Sequence, residues 1–144
     1  MPEPLTYPAR FERGEEGELL VTFRDLPEAN TFSWTEKEAY ADAADALGEA
    51  LGGRIRDEEG VPEPSSVEDG EHAIVAPVEI AAKIAVYKAF RAANLSRSEL
   101  ARRLHVGENE VRRILDPSHR TKLNRLERAA RALGVQLQLI ATPI

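Results

Sequence analysis

The sequence predicts an α+β protein in two parts: a small N-terminal antiparallel sheet with one helix, then an all-α domain that closes on a strand. Three observations predict it. Apolar residues alternate with period two up to residue 33 and again over residues 72–78, as half-buried strands do. From Glu79 the apolar period changes to 3.6. The charge reverses at the same place. Residues 1–78 carry 6 Lys/Arg against 19 Asp/Glu, a net of −13, and residues 79–144 carry 13 against 6, a net of +7; together these make the overall −6.

The elements follow in order. Tyr7, Ala9 and Phe11 alternate with polar neighbours, as do Leu19, Val21 and Phe23 beyond the Gly14-Glu15-Glu16-Gly17 turn, which predicts a hairpin. Asp25-Leu26-Pro27 ends the second strand, and Thr31-Phe32-Ser33 can add a third. Thr35 with Glu38 three residues on is a capping box, in which side chains satisfy orphan N–H groups at a helix start. Ala39, Ala43, Leu47 and Leu51 recur at helical spacing, and Gly52-Gly53 is read as the stop. Residues 57–70 are acidic, Pro/Gly-rich and aperiodic, an irregular connection. His72 to Val78 reads as a returning strand with Ile74, Ala76 and Val78 on one side.

In the second half Ile80, Ile84 and Tyr87 mark one face of a helix ending near Asn94-Leu95. Ser96 and Glu99 open a short helix, Arg97 to Leu104. A tight His105-Val106-Gly107 turn leads to another, Glu108 to Leu115, stopped by Asp116-Pro117. Thr121 is read as the cap of a last helix, with Leu123, Leu126, Ala130 and Leu133 as its stripe and Gly134 as its C-terminal stop. Val135, Leu137 and Leu139 then alternate with Gln136 and Gln138. That strand has nothing nearby to pair with, so it is expected to pair across a homodimer or a higher even oligomer.

Residues 97–116 fit a helix-turn-helix. Ala101 stands where two helices cross closely, and Leu100, Leu104, Val106, Val111 and Ile114 supply the inner face. The second helix then turns Glu108, Asn109, Arg112 and Arg113 outward, where its N-terminal residues face base edges in the major groove. Arginine can bind guanine bidentately, and asparagine adenine. Arg97 and Ser98 at the first helix and Arg120, Thr121 and Lys122 in the following loop are placed for backbone contacts, which set register without reading sequence. The basic half suits phosphate, where each neutralised charge releases counterions. A four-helix bundle with a basic surface would share the charge, but not three short capped helices around a tight turn. His105 stands where glycine is usual, and histidine tolerates the left-handed conformation better than most residues.

Other chemistry finds little support. The chain has no cysteine, which removes disulfides and thiolate sites and fits a reducing cytosol. The start, Met1-Pro2-Glu3-Pro4, has no basic region or apolar stretch of a signal peptide, and no apolar run approaches the roughly 20 residues of a membrane span. Asp42, Asp45 and Glu49 on the first helix read as solvated carboxylates rather than metal ligands. The three histidines, His72, His105 and His119, form no catalytic set with a serine. No cofactor, metal or enzymatic activity is expected.

The whole chain resembles the HicB-like antitoxins of type II toxin–antitoxin systems. The N-terminal match runs from Tyr7 to about Ser66. It rests on the strand pair, the Asp25-Leu26-Pro27 step, the Thr31 segment and the Thr35-Glu36-Lys37-Glu38-Ala39 helix opening. Glu28-Ala29 stands where the family usually has Gly-Cys. The C-terminal match is to a lambda-repressor/Cro-like domain, through Leu115-Asp116-Pro117, Arg120-Thr121-Lys122-Leu123 and Leu126-Glu127-Arg128-Ala129. The resemblance implies a toxin-binding domain over 1–78 with a partial RNase H-like fold, whose partner is a small basic HicA-like ribonuclease. It implies a DNA-binding and dimerisation domain over 79–144 that represses the chain's own operon at double-stranded operator DNA. Leu26, Phe32 and Trp34 are candidates for the toxin contact, and each could equally be core. An RNase H-like fold would need converging carboxylates for nuclease chemistry, and Asp25, Glu28, Asp42 and Asp45 do not obviously converge. The alternative is a stand-alone transcription regulator with an N-terminal ligand-sensing domain.

Overall fold

The computed structural model describes residues 3–144. Met1 and Pro2, half of the start read above, lie outside the described residues. Among these residues the fold is α+β, with four strands and five helices. It divides into two compact units, Met1–Arg54 with Pro62–Val78, and Ile55–Val61 with Glu79–Ile144.

In the first unit β1 (Thr6–Arg13) pairs antiparallel with β2 (Leu19–Thr22) and β4 (Glu71–Val75), and β2 pairs with β3 (Asn30–Ser33), giving the order β3-β2-β1-β4. The hairpin closes where Gly14 N–H meets Glu18 O at 2.8 Å. Gly17 takes φ 86°, which glycine adopts without strain. The register sets Phe11 opposite Val21, Tyr7 opposite Ile74 and Leu20 opposite Phe32. Because side chains alternate across a strand, Tyr7, Ala9, Val21 and Ile74 go inward and are buried.

Helix α1 (Glu36–Arg56) starts where expected: Thr35 Oγ1 accepts from Glu38 N–H at 3.2 Å. Ala39, Ala43, Leu47 and Leu51 are all fully buried. The helix does not stop at Gly52-Gly53. A helical glycine costs about 1 kcal/mol, whereas burying an Ile or Leu side chain returns about 1.5–3 kcal/mol. Leu51 and Ile55, one turn apart, are both buried. Glu58, at φ 55° and with its N–H 3.1 Å from Ile55 O, follows the helix end instead.

Strand β4 is also shorter than expected. It ends at Val75, and Val78 is not a strand residue but opens α2, exposed where inward packing was expected. Pro77 is the reason: it has no N–H for a ladder and its fixed φ suits a helix approach. Ile74 and Ala76 are buried as read.

The second unit holds α2 (Val78–Ala93), α3 (Arg97–Leu104), α4 (Glu108–Leu115) and α5 (Leu123–Ala132). Ile55–Val61 belongs here because Glu58 and Glu59 are tied to it. The Tyr87 hydroxyl and an Arg91 N–H both donate to Glu59 O at 2.8 Å, and Arg97 reaches Glu58 at 3.2 Å. The core joins Val86 of α2, Leu100, Ala101 and Leu104 of α3, Val111 and Ile114 of α4, and Leu126, Ala129 and Ala130 of α5.

Two expectations change in this unit, and a third waits on a second copy. Thr121 does not cap α5: the N-cap is Lys122, without a side-chain bond, because the Thr121 hydroxyl faces inward to Lys83. Leu123 is exposed rather than part of the stripe, since as the first helical residue it lies past the edge of the core. Residues 135–144 form no strand in the single chain, where an extended segment has no ladder partner in its own unit. Gly134, at φ 86°, does terminate α5. No helix among the described residues is long and apolar enough to cross a membrane.

Candidate functional site

The geometry of α3 and α4 starts from their ends. Ser96 caps α3, its Oγ accepting from Glu99 N–H at 3.1 Å. Two carbonyls of the last turn are met by the turn that follows. His105, at φ 56° and ψ 43°, donates its N–H to Arg102 O at 3.2 Å, and Val106 N–H reaches Ala101 O at 3.0 Å. Gly107 then opens α4 in an extended conformation. The result is two eight-residue helices at a fixed angle, with the small Ala101 buried where they approach.

On this scaffold Asn109, Arg112 and Arg113 are exposed, as are Glu108, Arg97, Arg120 and Lys122. Most already have partners within the unit. Arg113 lies 3.6 Å from Glu110, which also holds Arg125 of α5. Ser98 Oγ donates to the Glu108 carboxylate, and Arg112 sits 3.5 Å from the Asn109 amide oxygen. The paired arginines hold the Glu110 carboxyl below the usual carboxylate range, Arg125 first among them. Glu110 therefore holds two cations in place, one on α4 and one on α5. Thr121 is half-buried and turned inward, away from its expected place among the loop contacts.

Sequence reasoning missed Lys83. It lies on α2 between Ile80 and Ile84, on the apolar face that also carries Tyr87, and is only 5% exposed. Its Nζ donates to Arg113 O at 2.9 Å, Ile114 O at 3.0 Å and Thr121 Oγ1 at 2.7 Å. Burial pushes its pKa down to about 8, against the pull of the Asp116, Glu110 and Glu79 carboxylates. A cation inside an apolar stripe was the available signal.

The first unit offers a different surface. Phe32 and Trp34 are 55% and 56% exposed, their rings edge to face at 6.0 Å, with exposed Leu20 opposite Phe32. They lie on and beside β3, an edge strand. Leu26 does not join them: it is fully buried, so its place is in the core and not on a contact surface. Three of the four carboxylates weighed as a nuclease site have separate partners. Asp25 accepts from Ser65 N–H at 2.8 Å and Ser65 Oγ at 2.6 Å, Glu28 pairs with Arg54, and Asp42 accepts from Ser33. In the tail, Leu139 is 73% exposed, Val135 is exposed, and Leu137 packs against the unit's own core.

Residues 6–85 match the family model of the HicB-like antitoxins of bacterial toxin–antitoxin systems. That span takes in the first unit and reaches into α2. The chain belongs to this antitoxin family. Relatives extend the likeness over the rest. Antitoxin HicB of Escherichia coli strain K12 is 35% identical over 94% of this chain and 99% of its own length. Antitoxin HicB 2 of Photorhabdus laumondii is 38% identical over 98% and 99%. The HicB-like likeness therefore includes α3, α4 and α5 and is not confined to the sheet.

Proposed function

We propose that this antitoxin neutralises a small basic HicA-like ribonuclease with its acidic first unit and represses its own operon with its second. Here α3 and α4 act as a helix-turn-helix, α4 being the recognition helix. The observation that carries the DNA reading is the outward set Asn109, Arg112 and Arg113 on a helix whose other face is anchored by Val111 and Ile114. Arg97, Arg120 and Lys122 are the phosphate contacts, and Ser98 acts through Glu108. Val135, Leu137 and Leu139 form a strand only when a second copy supplies the other edge. The resulting dimer engages half-sites one helical turn apart, about 34 Å.

For the toxin, Phe32 and Trp34 are the apolar anchors, and the surrounding negative charge orients a basic partner. The chain acts in the cytosol as an inhibitor and repressor, without catalysis of its own. The antitoxin names of relatives covering nearly all of the chain favour this reading over a free-standing ligand sensor. The test pairs a gel-shift titration on DNA upstream of the gene with a growth rescue of cells expressing the neighbouring small basic protein. Arg112→Ala or Arg113→Ala should lose about 1–3 kcal/mol of operator affinity and still rescue growth. A folded variant that loses both activities would refute the division of labour.

A further inference from the structure

At the last turn of α4, where Arg113 O accepts the capping Asp116 N–H at 3.2 Å, the helix dipole is negative and a cation is favoured. Lys83 supplies that cation from inside the unit. Removing an ammonium from water is costly unless it is paired or hydrogen-bonded, and here all three N–H donors have acceptors, at 2.7–3.0 Å. An apolar residue in the α2 stripe would bury more cheaply. What the ammonium adds is direction. It grips the backbone of Arg113, the same residue whose side chain points outward, and the adjacent Ile114. Through Thr121 it also holds the loop that carries Arg120 and Lys122. On the other flank, Glu110 ties α4 to Arg125 of α5.

We infer that Lys83 is the positioning residue of the reading helix: its ammonium fixes α4 and the 117–122 loop on α2, setting the angle at which Asn109, Arg112 and Arg113 are presented. The inference rests on the DNA-reading function proposed above. It touches no DNA itself and acts through the backbone.

The test is Lys83→Met in the full chain, which keeps length and bulk but removes every donor. In the free protein, amide exchange followed by NMR should quicken roughly tenfold or more over residues 112–121, the scale of a hydrogen bond to a charged group, with the α3 and α5 core amides unchanged. Affinity for the DNA upstream of the gene should fall roughly tenfold or more, while affinity for a scrambled duplex of equal length at the same salt stays put. Wild-type exchange and wild-type discrimination would overturn the inference. So would exchange that quickens evenly across the second unit, which marks a merely structural role. If Lys83→Met does not fold, Thr121→Val decides, since it removes one of three acceptors: a smaller shift confined to the same residues supports positioning, and no shift overturns it. If the wild-type chain fails to distinguish upstream from scrambled DNA, the DNA reading falls, and the exchange data on the free chain still decide whether Lys83 holds α4.

Discussion

The two units present opposite kinds of surface. In the first, the candidate contacts are apolar side chains: Phe32 on the edge strand β3, Trp34 just past it, and Leu20 opposite Phe32 on β2. In the second, they are charged side chains, several already paired: Arg113 with Glu110, Glu108 with Ser98, Arg97 with Glu58. Burying apolar area gives affinity without demanding direction, so an unpartnered patch can wait for a protein. Reading bases demands geometry, and a charge that wanders reads nothing. In the second unit Glu58, Glu99 and Glu110 hold arginines in position. Its core shows the same economy, with three small buried alanines, Ala101, Ala129 and Ala130, letting short helices approach closely.

The largest effect that would sharpen this contrast is in the second core. Leu100 is fully buried within it, and Leu100→Ala should cost about 2–5 kcal/mol. Followed through the chain's single tryptophan, Trp34, urea unfolding of the first unit should be unchanged, while operator binding is lost. A matching loss in the Trp34 transition would show that the units do not fold independently. Next in size is Trp34→Ala, which removes an exposed aromatic anchor. Complex formation with the neighbouring basic protein, measured by calorimetry, should weaken by about 2 kcal/mol or more, with DNA binding intact. Unaltered toxin binding in this variant and in Phe32→Ala would move the contact elsewhere on the unit.

A further effect is a divergence at alkaline pH. Lys83 has a folded pKa near 8 against 10.5 in the open chain. The unfolded state then binds more protons between these values, so the second unit should gain stability as pH rises from 8 to 10.5. Tyr7 runs the other way. Burial, with Glu63 and Asp25 nearby, raises its pKa to about 12, and its hydroxyl donates to Pro62 O at 2.7 Å. That contribution is complete below pH 10 and is lost as pH climbs through 12. Urea midpoints read by Trp34 fluorescence for the first unit, and by helical circular dichroism for Trp34-insensitive unfolding, should separate accordingly. Lys83→Met should abolish the rise in the second unit alone.

Much of this protein is local, and the local part was legible in the chain. The hairpin follows from alternation about a glycine turn, and α3 and α4 from Ser96, His105, Gly107 and Asp116, because caps and turns are decided by neighbours within a few residues. The outward set Asn109, Arg112 and Arg113 follows from helical period once Val111 and Ile114 face inward. What lay beyond reading was every choice made by a distant partner. Leu51 and Ile55 carry α1 through two glycines because their burial outweighs propensity. Leu26 goes to the core and Phe32 to the surface although both are apolar. Thr121 gives up capping α5 for an ammonium 38 residues away. Val135 to Leu139 has the pattern of a strand but no strand to join. The sequence by itself determined where helices and turns begin and end when short-range hydrogen bonds set them. Only the tertiary structure decided which side chains are buried, which charges are paired and which cation holds the end of α4, because burial and pairing are long-range energies that no window of neighbouring residues contains.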